Sequence, residues 1–206
     1  MSAQKNMADR LRSDPSWVDS GDASPHGFVV RQRNRVAVQA LQLPLARDWT
    51  VAQLRDGKQR LAQTAAKQQL RVLEPPLATL LANPVVDPPE TWSWQLLQPV
   101  SGRVQVDDLD EDISTGRTHG GTFVQATTTE GLAGLDRLYG HLFREYLPRY
   151  KHRLTRPCIY HRATDGLERD DPNGLLLVVF VPVMLSLVRG ELGPSISSAA
   201  SEQTLP

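Results

Sequence analysis

The sequence predicts an α+β fold: a tandem β-α-β-β pseudo-repeat with an antiparallel sheet, two main helices and a central cleft between the halves. Three observations carry this. The same order of strand, helix, strand and strand signals occurs twice. Each copy holds one amphipathic helical segment. Each copy ends in an apolar run that closes on Pro-Val, at Pro99-Val100 and again at Pro182-Val183.

The first copy, about 30–101, opens on a strand-like stretch (35–45) with partial alternation over 36–43. A helix follows over 50–70, with Val51, Leu54, Leu61 and Ala65 on one stripe and Asp48 or Thr50 as cap. Gly57 weakens this helix by about 1 kcal/mol relative to alanine. Glu74, Pro75 and Pro76 mark a turn, and 92–100 reads as the closing strand.

The second copy, 102–185, has a strand signal over 122–126 and a helix over 127–146. On that helix Leu132, Leu135, Tyr139, Leu142, Phe143 and Tyr146 form a stripe. Thr127 and Glu130 have capping-box spacing, and Pro148 stops the helix. Pro157 opens a strand over 158–161, and 165–173 is a turn by its Gly, Asp, Pro and Asn content. The last strand, 175–184, is almost wholly apolar, which predicts a central strand buried on both faces. Acidic 107–112 reads as a solvated connection.

Residues 1–27 lack periodicity and read as a mobile leader; 189–206 read as a disordered tail, leaving one domain over 28–188. Lysine and arginine balance aspartate and glutamate at 23 each, so no global field argues for nucleic acid or an anionic membrane. The single cysteine, Cys158, excludes an intramolecular disulfide and suits a reducing compartment. No apolar run is long enough to span a bilayer. The expectation is a cytoplasmic protein without membrane contact.

The candidate site residues are aromatic. Trp92 and Trp94 share one side of the closing strand by alternation, as a stacking platform or as core against helix one. Gln95 points to the other face. Tyr139 and Phe143 lie on the helix-two stripe, which is first a packing face. His119 precedes Gly120 and Gly121, whose permissive backbone makes either a turn or an anion-facing nest of N–H groups. Tyr160 offers a ring and a hydroxyl, for a ligand or for the backbone. Cys158 and His161 raise zinc, but no second pair has suitable spacing and positions three apart on a strand face opposite sides, so neither metal nor cofactor is expected. No nucleophile elbow or phosphate loop is present. Seven basic residues over 137–162 against one acid, Glu145, form a solvated face or a surface for an acidic partner.

His119, Gly120, Gly121, Thr122, Phe123 and Val124, then helix two, then Leu154 through Tyr160, then the strand ending Val181, Pro182 and Val183, resemble the GyrI-like small-molecule-binding family. This family includes the DNA gyrase inhibitory protein and the effector-binding domains of multidrug-sensing transcription regulators. The first copy is similar, with Arg47, Asp48 and Trp49 before its helix and Glu90, Thr91 and Trp92 before its closing strand.

The resemblance implies a ligand held between the halves, stacked on aromatic rings. The roles it implies are sequestration of a toxic compound or modulation of DNA gyrase. Many family members carry a glutamate four residues before the Pro-Val position to meet a cation; here Gln95 and Val178 stand there. Without those carboxylates the expectation turns to a neutral or anionic ligand, or to none. Some relatives hydrolyse reactive genotoxins, for which Glu74 and Glu90 are the carboxylates to weigh. A third reading is a protein-interaction module using the basic helix-two region. With no helix-turn-helix before the domain, the expectation is a stand-alone binding module, not a DNA-binding regulator.

Overall fold

Alternating burial along extended segments builds one antiparallel sheet. In the computed structural model, which describes residues 22–23, 29–84, 86–128, 130–165 and 175–185, the elements run as follows. The first half holds β1 (Asp22–Ala23), β2 (Val29–Arg35), β3 (Gln39–Leu45), α1 (Val51–Lys67), β4 (Arg71–Val72), β5 (Leu77–Leu80) and β6 (Trp94–Ser101). The second holds β7 (Ser114–Arg117), β8 (Gly121–Thr128), α2 (Leu135–His141), α3 (Leu147–Arg149), β9 (His152–Leu154), β10 (Ile159–Asp165) and β11 (Leu176–Leu185). Of the leader, only Asp22–Ala23 are described, and they pair with β2. The tail and the turn beyond Asp165 lie outside the described residues.

The sheet order is β1-β2-β8-β11-β10-β5-β6-β3-β7, with β4 added to β6 and β9 to β11. This order is symmetric about the β5–β10 pair. Tyr160 faces Thr79 at the centre, flanked by Ile159 opposite Leu80 and His161 opposite Ala78. Outward from there β6 matches β11 and β3 matches β8. Pro99 pairs with Ala40 as Pro182 pairs with Phe123, so the repeated Pro-Val signals occupy equivalent sites. The outermost strands are exchanged. β2 leads the first copy but pairs with β8 of the second, and β7 leads the second copy but pairs with β3 of the first. The predicted strand 35–45 is therefore two strands, broken at residues 36–38 because its parts join opposite sides of the sheet.

Both helices lie on one face. Val51, Leu54, Gly57, Leu61, Thr64 and Ala65 of α1 are buried at helical spacing over Leu41, Leu43 and Leu96. Each fully buried leucine contributes about 1.5–3 kcal/mol. Thr50 caps α1 in a reciprocal capping box with Gln53. Gly57 has a packing reason: a Cβ there would stand 3.1 Å from both Leu43 Cδ2 and Leu96 Cδ2, so its bareness lets α1 close on the sheet. The other face buries Ala40, Leu77, Leu97, Phe123, Cys158, Tyr160, Val178 and Phe180. Burial of both faces explains the continuous apolar run of β11.

Helix two starts later than predicted. Thr127 and Thr128 are buried within β8, so the Thr127–Glu130 spacing is not a capping box; Thr128 Oγ1 instead accepts from the Glu130 N–H. A 3-10 turn (Gly131–Gly134) leads into α2, and a π turn (Leu142–Tyr146) joins it to α3. Pro148 lies inside α3 rather than ending α2. Its missing N–H and its ring disturb the bonding of the preceding turn, which the wider π spacing accommodates.

Candidate functional site

Period-two alternation decides which side chains reach the helix-covered face. His161 on β10 and Ala78 on β5 are opposite each other, and Trp94 on β6 is opposite Leu80. Trp49, just before the α1 cap, packs edge-on against Trp94 with ring centroids 5.6 Å apart. The Trp94 ring meets His161 at 5.0 Å, His161 meets Tyr139 of α2 at 6.1 Å, and Tyr139 meets Phe143 at 6.0 Å. An aromatic wall thus crosses the sheet from one half to the other.

The hydrogen bonds fix the state of His161. Its Nδ1 lies 3.1 Å from the Ala78 carbonyl, which can only accept, so Nδ1 carries the proton. Nε2 then accepts from the Tyr139 hydroxyl. Burial pushes the His161 pKa down to about 4, against hydrogen bonds with the Ala78 and Ile159 backbone that act in the other direction. Burial likewise raises the Tyr139 phenol. The pair is neutral, and the wall carries no charge at neutral pH.

Two hollows flank this wall. One, lined by Trp49, Leu54, Lys58, Ala78, Leu132 and His161 among others, encloses only about 20 Å³. That is room for a single water. The other is a groove of about 280 Å³ between the β5–β6 connection and helix two. Pro84 and Trp92 form its first-half bank; Asp136, Tyr139, Gly140, Phe143 and Arg144 form its second-half bank. These five occupy the i, i+3, i+4, i+7, i+8 stripe of a helix face. Trp92 is held by its Nε1–H, which donates to the Asp87 carbonyl at 2.9 Å. Gly140 leaves open space where a side chain would stand. The groove is near the lower end of small-ligand pocket volumes.

The structure brings together three of the eight residues singled out in the sequence: Trp92, Tyr139 and Phe143 line the groove. Trp94 lies buried in the wall. The remaining four do not join them. Gln95 and Val178 alternate onto the opposite face of the sheet, where Tyr160 is fully buried and stacks on Phe123 at 5.7 Å. The Tyr160 oxygen accepts from the His119 N–H at 2.7 Å, so that N–H braces a core tyrosine instead of facing a ligand. The His119 ring accepts from Arg156, and burial followed by the Arg156 charge lowers its pKa. Gly120 is a close approach: a Cβ would stand 2.8 Å from the Ala37 nitrogen.

Glu74 also lies on that opposite face, bridging Arg35 and Arg162, whose guanidinium groups stand 4.8 and 5.0 Å from the Phe180 ring centre. Glu90 is exposed, and its backbone carbonyl accepts from Arg47. Neither carboxylate lines the groove. Among the described residues no three His, Cys, Asp or Glu side chains gather as metal ligands, and no helix is long and apolar enough to cross a membrane.

Sequence reasoning missed Trp49 and His161 as parts of the wall and Asp136 and Arg144 as parts of the groove. Asp136 and Arg144 fall on the Tyr139–Phe143 stripe, a signal that was available. The role of His161 depends on which strand pairs with β10, and that has no local signature.

Two helices on one face of a pseudo-symmetric antiparallel sheet, with a cleft across the repeat boundary, define the GyrI-like fold. In solved structures this chain is similar to the EcmrR C-terminal domain (TM-score 0.58, 13% identity, covering 77% of this chain and 98% of that one). It is similar to EcmrR in complex with DNA at TM-score 0.58 and 11% identity, over 88% of this chain, and spans 64% of the EcmrR chain. A hydrolase from Listeria innocua superposes at TM-score 0.55 with 9% identity, covering 87% of this chain and 98% of that one. At these identities the likeness is one of fold. No family model and no curated protein sequence matches the chain.

Proposed function

We propose that this protein binds a small planar aromatic molecule in the groove between its halves, sandwiched by Trp92, Tyr139 and Phe143. The observation that carries this is the groove itself: three aromatic side chains from two halves converge on a space of about 280 Å³ whose floor is the bare Gly140. Stacking on such rings contributes about 1–3 kcal/mol for each aromatic base. The effector-binding fold supports the same reading. So does the neutral Tyr139–His161 pair in the wall beside the groove.

Sequestering a toxic flat molecule and modulating DNA gyrase, the roles that the family resemblance implies, would both depend on this groove. A supercoiling assay with added protein separates them.

The test of binding is a titration of quinoline and acridine compounds followed by tryptophan fluorescence and calorimetry. Micromolar binding is expected, lost by at least tenfold in Trp92→Ala and in Gly140→Leu. Gly140→Leu is the sharper variant, because it fills the groove while meeting nothing within 4 Å at its Cβ. Equal affinity in the wild type and Gly140→Leu would overturn the assignment.

A further inference from the structure

The two charged residues on the groove's helical bank are Asp136 and Arg144. Both are exposed, and neither makes an ion pair or side-chain hydrogen bond among the described residues. Of their neighbours, Arg137 pairs with Glu130, and Glu145 is hydrogen-bonded to His141. Unpaired charges of opposite sign therefore stand at the two ends of one aromatic trough. They stand eight positions apart, which at helical rise is about 12 Å along the axis. Tyr139, Gly140 and Phe143 lie between.

We infer that the groove selects a flat zwitterion, an aromatic body with an ammonium at the Asp136 end and a carboxylate at the Arg144 end. The inference rests on the groove being the ligand site and adds the ligand's charge pattern. Aspartate accepts from an ammonium and arginine donates two parallel bonds to a carboxylate, so each end recognises one polarity. A ligand with one charge leaves the other protein charge unmet. A cation alone gains at Asp136 and meets Arg144 as a like charge. Orientation is specified as well, because reversing the ligand sets like charges together at both ends.

The experiment uses four quinolines of one ring system, carrying at opposite ends an ammonium and a carboxylate, the ammonium alone, the carboxylate alone, or neither. The zwitterion is expected to bind tightest, about tenfold above the neutral compound in low salt, and to lose most of that advantage in 0.5 M NaCl. Asp136→Asn is expected to weaken the zwitterion and the cation three- to fivefold and leave the anion and the neutral compound unweakened. Arg144→Gln should weaken the zwitterion and the anion by the same factor. Both side chains are exposed, and a circular dichroism spectrum matching wild type shows that each variant is folded. Equal affinities across the four compounds would overturn the zwitterion inference and leave groove binding standing. So would a cation preference untouched by Arg144→Gln. Failure of all four to bind would overturn groove binding and the zwitterion inference together.

Discussion

Tyr139 donates its hydroxyl proton to Nε2 of His161, linking helix two to the strand that pairs with the first half of the sheet. The acceptor exists only while His161 is neutral, which ties the wall to pH. Folding lowers the His161 pKa from 6.5 to about 4, so the unfolded chain binds the extra proton between these values. Stability from this residue is fully present above pH 6.5 and is lost as pH falls towards 4. Between pH 7 and pH 5 the loss is roughly 2 kcal/mol. Urea unfolding of wild type and His161→Gln at both pH values checks it: the wild type should lose about that much more than the variant.

Tyr139→Phe keeps the ring in the groove and removes one hydroxyl. The buried Nε2 is left without a donor, at a cost of about 1–3 kcal/mol. Thermal unfolding should register that loss while affinity for a planar ligand, which depends on the ring, stays within about twofold of wild type.

Gly57→Ala sets helix propensity against packing. The helix gains about 1 kcal/mol from alanine. The added methyl would lie 3.1 Å from two leucine methyls in a filled core, and overpacking costs typically 1–3 kcal/mol. The expected net is a destabilisation of about 1 kcal/mol in chemical denaturation, with Gly57→Val lower still. At Gly140 the same substitution meets open space, so Gly140→Ala is expected to stabilise by about 0.5–1 kcal/mol.

Glu74→Gln removes the carboxylate shared by Arg35 and Arg162 on the opposite face. Those side chains are only 13% and 24% exposed, and the two guanidinium groups would then repel across the Phe180 ring. A loss of about 2 kcal/mol is expected, below the 3–5 kcal/mol of a fully buried pair because solvent reaches all three groups. Urea midpoints of the two proteins measure it.

Much of this architecture is legible in the residues. Helical spacing at Val51, Leu54, Leu61 and Ala65 finds α1, and the continuous apolar run before Met184 finds a central strand, because burial writes directly into periodicity. Pairing partners do not write into it. Nothing near Arg35 says that β2 crosses to β8, and nothing near Tyr160 says that its face is filled by Phe123 and Phe180 rather than left open. Local spacing at Thr127 and Glu130 was overridden by the sheet, which extended β8 through both threonines. The aromatic residues were therefore identifiable as a set, while their division between a groove, a wall and a closed core required the fold.

The exchange of β2 and β7 makes the two halves mutually obligate. Cut between them, each fragment would retain its own helix and hairpin but lack the strand that completes its outer edge, and that strand would sit on the other fragment. Co-expressed pieces should reassemble where single pieces aggregate. The pairing of β2 with β8 also joins segments far apart in sequence, so the sheet's closure waits for the second half to arrive during synthesis. The dyad relating the two halves is inexact even at its centre, with Thr79 on one side where the other has Tyr160.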